Sequence, residues 1–211
     1  MMIKNTEKAG FARTAVQRWW QSMMLSPDEI EKIRKKLKLE YYQLYPAPSV
    51  YKAQLRRCAT AEEAIFTEGF RALWSSLPKD YVNTKSKKQI QCWGTIAAAL
   101  VYIKPEANEL SDNLAIAAGR KSDRNDDKPQ VSELRFARLV NAKNPEELLR
   151  RLRQNLKIVK GKVSPVQMAK DIECWFYDTQ TSNHKPSSKR LQLRWAMEYY
   201  KVAPEKKQPT Q

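Results

Sequence analysis

Residues 144–160 place Leu148, Leu149, Leu152, Leu156 and Val159 within one helical stripe roughly 100° wide. Arg150, Arg153, Lys157 and Lys160 fall on a second stripe beside it, three or four residues apart. One face of this helix is therefore built for a core, and its neighbour presents a row of cations. The same periodicity recurs at Ile30, Ile33, Leu37, Tyr41 and Leu44, and again at Ile65, Phe66, Phe70, Leu73, Trp74 and Leu77. It returns at Ile90, Trp93, Ile96, Ala97, Leu100 and Val101, then at Met168, Ile172 and Trp175. Each run predicts an amphipathic helix.

Punctuation agrees with the pattern. Ser26-Pro27-Asp28-Glu29, Asn144-Pro145-Glu146-Glu147 and Ser164-Pro165-Val166-Gln167 each set a capping side chain before a proline, with Glu or Gln at the third helical position. Thr60-Ala61-Glu62-Glu63 is a fourth capping signal without the proline. Pro46, Pro48, Pro78, Pro105, Gly161 and Pro204 mark stops. Only 5 glycines, and no alternating runs joined by hairpin turns, argue against a sheet. The predicted class is all-α: two packed helical bundles, 1–108 and 109–211, joined by a loop-rich segment. A loop at 119–131, its Gly119–Pro129 part read as exposed and mobile, and a frayed tail at 203–211 complete the second bundle.

Charge narrows the partners. Lys and Arg number 39 against 23 Asp and Glu, for a net +16 spread over both halves of the chain. A field of this sign gathers anionic polymers, nucleic acid first among them. The longest apolar run, Ile96–Ile103, is far short of the ~20 residues of a membrane helix, and without an apolar h-region in the first residues no secretory signal is expected. Cys58, Cys92 and Cys174 lie far apart and form no CxxC pair, so they read as buried thiols of a reducing compartment. A cytoplasmic location without membrane association is expected.

The sequence offers little for catalysis. His184, the single histidine, sits in a polar loop and reads as a surface side chain. Asp123, Asp126 and Asp127 lie among Arg120, Lys121, Arg124 and Lys128 without EF-hand spacing, so a solvated loop is expected there and no metal site. Other acids cluster at helix starts, where the helix dipole accounts for them. No GxxxxGKS/T phosphate loop is present. The six tryptophans all fall within helical segments and read chiefly as core, with partial exposure left open for Trp20 and Trp195. No catalytic residue, metal or cofactor is expected.

The cations come in groups. Arg56 and Arg57 end the segment 50–58. Lys85, Lys87 and Lys88 precede the Ile90 helix, and Arg135 and Arg138 lie three apart on the segment 132–140. Lys143 precedes the Arg150, Arg153 and Lys157 stripe, and Lys189, Arg190 and Arg194 share the last helix. Together they form a candidate surface that tracks phosphates. Arg56, Arg57, Lys87, Lys88, Arg135, Arg138, Lys143, Arg150, Arg153 and Lys157 are the candidate nucleic-acid-binding residues.

The run SELRFARLVNAKNPEELLRRLRQNLKIVKG (132–161), followed by LRWAMEYYKV (193–202), resembles the small subunit of type I-E CRISPR Cascade, the CasB family. The Trp19-Trp20 pair and AQLRRCATAEEAIFTEGFRALWSSLP (53–78) agree with it in the same order. The resemblance implies a non-catalytic, two-bundle helical subunit of a crRNA-guided surveillance complex in antiviral defence. Its implied partners are backbone and large subunits, a second copy of itself, and target DNA opened as an R-loop, above all the displaced strand. The family's contact positions carry over onto Arg57, Arg135 and Arg153, with Lys143 beside them. The chain departs from shorter members between Trp20 and Tyr51, where it carries residues 21–50, and in its long 119–129 loop. Three alternatives stay open on the sequence. They are a structural adaptor that meets acidic subunits without touching nucleic acid, a metal-dependent nuclease, and a helical transcription regulator.

Overall fold

Ser26 opens a helix as its capping box requires, in a computed structural model describing residues 2–83, 86–123, 125–180 and 190–204. Side chains are described for 12–83, 86–123, 127–179 and 190–204. The Ser26 hydroxyl accepts from the Glu29 N–H, and the Glu29 carboxylate accepts from the Ser26 N–H at 2.8 Å. Asn144 likewise accepts from the Glu147 N–H at 2.9 Å, and Thr60 from the Glu63 N–H at 3.1 Å. In both, the glutamate reaches one residue further back than in a strict box, accepting from the Lys143 N–H (3.1 Å) and the Ala59 N–H (2.7 Å).

Twelve α-helices lie among the described residues. The first six are α1 (Met2–Met24), α2 (Pro27–Leu37), α3 (Ser49–Arg57), α4 (Ala61–Ile65), α5 (Glu68–Ser76) and α6 (Lys79–Val82). The rest are α7 (Lys87–Leu100), α8 (Leu114–Gly119), α9 (Glu133–Val140), α10 (Pro145–Ile158), α11 (Pro165–Gln180) and α12 (Leu191–Val202). Short 3-10 turns cover Tyr41–Gln43 and Pro105–Ala107. The class is all-α apart from one small hairpin.

Three expectations change. The helix read from Ile30 to Leu44 stops at Leu37. Lys38 takes a left-handed conformation (φ 51°, ψ 43°), and the Leu39 N–H closes back on the Arg34 carbonyl at 2.9 Å, a glycine-type ending made by a lysine. The run from Ile65 to Leu77 is two helices. Thr67 donates to the Ala64 carbonyl (2.7 Å) and accepts from the Phe70 N–H (3.1 Å), ending α4 and starting α5 with one hydroxyl. The exposed loop at 119–129 contains a hairpin, β1 (Lys121–Ser122) paired antiparallel with β2 (Asn125–Pro129). Lys160 fastens it through Asp123 at 2.5 Å. His184, Lys85 and Lys189 lie outside the described residues, as do nearly all of the tail and the side chains of Arg124 and Asp126.

The core is organised on α7. Every residue from Cys92 to Leu100 is buried, and α4, α10 and α11 all pack on this helix. Gly94 lets α4 come close: a Cβ there would lie 2.5 Å from the Ala61 carbonyl oxygen. Helix α1 packs on α11 and α5, and its Trp19 indole donates to the Gly69 carbonyl at 2.9 Å. Buried side chains from both sides of residue 108 belong to a single continuous core. Asn108 itself accepts from Gln17 (3.0 Å) and Gln21 (2.8 Å) on α1. At the other end α12 lies against α8, where a side chain at Gly119 would collide with the Tyr199 carbonyl.

A buried acid ties α11 to α12. Asp171 accepts from the Trp195 indole and the Gln167 amide, both at 2.9 Å, and pairs with Arg194. Its neighbour Glu173 lies half-buried between α11 and α7, and burial pushes its carboxyl up to about 7, against an opposing pull from Arg13. The folded chain thus binds this proton more tightly than the unfolded chain. The resulting stabilisation is full below about pH 4.5 and is lost as pH rises toward 7. Glu173→Gln is expected to match the parent near pH 4 and to exceed its stability by about 2–3 kcal/mol at pH 8. Urea titrations at both pH values check this, and equal midpoints at pH 8 would remove the assignment.

Candidate nucleic-acid interface

The apolar stripe predicted on α10 faces the core: Leu148, Leu149, Leu152 and Leu156 are fully buried and Val159 nearly so. This fixes the cationic stripe outward. Gly161, left-handed at φ 66°, ends the helix and donates to the Leu156 carbonyl at 2.8 Å. Its own carbonyl accepts from the Lys104 N–H at 3.1 Å, bringing the segment after α7 alongside. Tyr102 is thereby set against the middle of α10.

Three cations surround the Tyr102 ring. The Arg153 guanidinium lies 5.2 Å from its centroid, Lys157 Nζ 5.6 Å and the Arg56 guanidinium 5.9 Å. These are cation–π distances. Tyr102, Arg150, Arg153, Gln154 and Lys157 line a hollow of about 720 Å3 whose far end carries Glu146 and Glu147. A second hollow of about 440 Å3 is lined by Arg135 and Arg138 from α9 with Arg151, Gln154, Lys157 and Ile158 from α10. Gln154 and Lys157 belong to both. The two hollows therefore make one continuous track across α9 and α10.

The candidate residues divide by what they touch. Arg153 is heavily engaged: it donates to the Cys58 carbonyl at 2.6 Å, the Leu55 carbonyl at 3.2 Å and the Ala98 carbonyl at 3.3 Å. It thus caps the carbonyl end of α3 and ties α10 to α3 and α7. Burial lowers its pKa from the ordinary arginine value. Arg56 gives two donors to the Val101 carbonyl, at 3.0 and 3.1 Å. Both side chains brace the fold beneath the hollow, a task the sequence did not assign them.

Arg135, Arg138, Arg150 and Lys157 are exposed on the track. Arg57 is exposed next to Arg56 but lines neither hollow. Lys143 stands exposed just before α10. Lys87 and Lys88 begin α7 one turn before Gln91, which donates to Glu146 at 3.3 Å. Lys88 lines a different hollow, with Lys170 and Glu173 between α7 and α11. Tyr102, Arg151 and Gln154 are the residues the sequence reading missed. A tyrosine at the end of a buried apolar run carries no local signal for a site.

Among the described residues no group of His, Cys, Asp or Glu is placed to hold a metal, and no helix is long and apolar enough to cross a membrane. No curated protein and no solved structure matches the chain. The family of CRISPR-associated protein Cse2 matches residues 51–200. That range contains α4 to α11, most of α3 and α12, and every cation of the track. Helices α1 and α2, with the Trp19-Trp20 pair, fall outside it. The match takes in well over half the chain and agrees with the resemblance carried by its arginine-rich helices, so the chain belongs to the Cse2, or CasB, family.

Proposed function

We propose that this chain is the non-catalytic small subunit of a type I-E Cascade, and that its α9–α10 track holds the backbone of target DNA in the R-loop. Opening a duplex under a guide exchanges base pairs of almost equal energy, so backbone contacts decide the balance. The observation that carries this reading is the sharing of Gln154 and Lys157 between the two hollows, which aligns four exposed cations on one surface. Rows of lysine and arginine grip the sugar–phosphate backbone without reading bases, so the contact is independent of sequence, with the displaced single strand as its ligand. Backbone and large subunits and a second copy of this chain are the proposed protein partners, in the cytoplasm.

The test is joint replacement of Arg135, Arg138, Arg150 and Lys157 by alanine in the assembled complex, with DNA binding followed across salt. Each lost phosphate contact reduces the log–log slope by about 0.7 for a single strand or 0.9 for a duplex. R-loop affinity at physiological salt is expected to fall at least tenfold, while the unfolding midpoint of the subunit barely moves, as for other exposed substitutions. An unchanged slope would transfer these cations to acidic partner subunits and leave the chain a structural adaptor.

A further inference from the structure

The tryptophans supply no stacking platform, because five are buried and Trp74 is half-buried. The exposed π faces belong to tyrosines and to Phe66, which stands by itself just after α4. Three of the tyrosines fall within residues 41–45: Tyr41 is 60% exposed, Tyr42 76% and Tyr45 43%. Tyr41 and Tyr45 stack with centroids 6.2 Å apart, and the Arg34 guanidinium lies 4.9 Å over the Tyr41 ring. The segment is fastened to α1, since the Ser22 hydroxyl donates to the Tyr45 carbonyl at 2.6 Å and the Ala47 N–H to the Ser22 carbonyl at 2.9 Å.

Tyr42 and Tyr45 wall a groove of about 740 Å3 that continues to Trp19 on α1 and Tyr51 on α3. Arg18 is the single charged side chain in its lining and has no hydrogen bond or ion pair among the described residues. Aromatic faces beside an uncommitted guanidinium suit a ligand that is flat and apolar on one part and anionic on another. Every nucleotide has that chemistry. A docked peptide would call for an unpaired strand edge, an unbroken apolar stripe or, for a proline-rich segment, aromatic faces alone, whereas the guanidinium beside these rings favours a ligand that carries an anion next to its flat part.

We propose that this groove takes an unstacked nucleotide of a single-stranded nucleic acid, with its base on Tyr42 and Tyr45 and its phosphate on Arg18. The site is separate from the α9–α10 track, and most of it lies before residue 51, outside the family match. It stands even if the track serves only protein contacts.

The test uses the full chain and a fluorescein-labelled oligothymidylate, with a second oligonucleotide of equal length in which the central bases are replaced by abasic sites. Tyr42→Ala with Tyr45→Ala is expected to weaken oligothymidylate binding about tenfold or more, while Tyr42→Phe with Tyr45→Phe keeps the parent affinity. Arg18→Gln weakens both oligonucleotides and lowers the salt slope by about 0.7. The parent binds the abasic strand about as weakly as the double alanine variant binds the normal one. If that variant does not fold, the abasic comparison on the parent chain still decides. Equal binding of abasic and normal strands overturns the proposal. So does unchanged oligonucleotide binding by a folded alanine variant, and if that variant also fails to join the other complex subunits, the groove belongs to a protein partner.

Discussion

Arg153→Met is expected to lower the stability of the fold by about 3 kcal/mol or more, although the residue reads in the sequence as one of a row of surface cations. The methionine keeps the apolar stem and removes the donors. Three carbonyls, on Leu55, Cys58 and Ala98, then lose a charged partner. Each such bond contributes about 1.5–3 kcal/mol net, and sharing one guanidinium keeps the total below the sum. A lysine at 153 recovers only part of the loss, because one ammonium lacks the planar fork that reaches three acceptors. Urea denaturation checks this through a shifted midpoint at unchanged slope, and a midpoint within experimental error of the parent would refute the bracing role. The practical corollary concerns interpretation: weaker DNA binding by an Arg153 variant reports a displaced α10 before it reports a lost phosphate contact. Arg150, without such ties, is the informative position.

The second large effect is at Trp195, whose replacement by alanine is expected to cost about 4–5 kcal/mol. The side chain is 1% exposed, so a cavity is left where α11, α9 and α12 meet; large aromatic truncations of this kind cost about 3–5 kcal/mol. The indole also holds the Asp171 carboxylate, which is fully buried. Burial already pushes Asp171 up to about 6 against the pull of its donors, and removing the indole takes one of them away. Trp195→Phe separates the two contributions, since it refills most of the cavity and still deprives the acid. The phenylalanine variant is expected to fall between parent and alanine, with its deficit largest above pH 6 and smallest near pH 4, where the acid is neutral in both. A deficit that does not vary with pH would mean that Asp171 does not depend on the indole.

Much of the fold was legible because its signals are local. Ser26, Thr60, Asn144 and Ser164 each accept from a helix-start N–H as their spacing implied, and the apolar stripe of α10 points where the 3.6-residue period put it. The breaks at Lys38 and Thr67 were not legible. Neither involves glycine or proline: one depends on a lysine accepting left-handed geometry, the other on a threonine hydroxyl shared between two helices. The hairpin at 121–129 escaped for a related reason, since it is held by Lys160, far along the chain.

The candidate site divides along the same line. Spacing located Arg150 and Lys157 on an outward face, and Arg135 and Arg138 beside them. It could not distinguish Arg56 and Arg153 from these, because their acceptors are carbonyls about 45 to 98 positions away in the chain and no periodicity encodes such a meeting. Tyr41 and Tyr42 were absorbed into the stretch beyond Leu37 of a helix read on to Leu44, and that stretch does not form, which concealed their exposure.

The brace under Tyr102 has an electrostatic meaning as well as a mechanical one. The oxygen-bearing termini of α3 and α7 both point at this spot, and each such terminus carries about half a negative charge. Left bare, two converging negative poles would repel a polyanion from the floor of the cleft. Arg153 on the first and Arg56 on the second cancel them from below, so the outer row of cations acts on an incoming strand without opposition. Two arginines that never need to meet the ligand thereby decide that an anion is tolerated there at all.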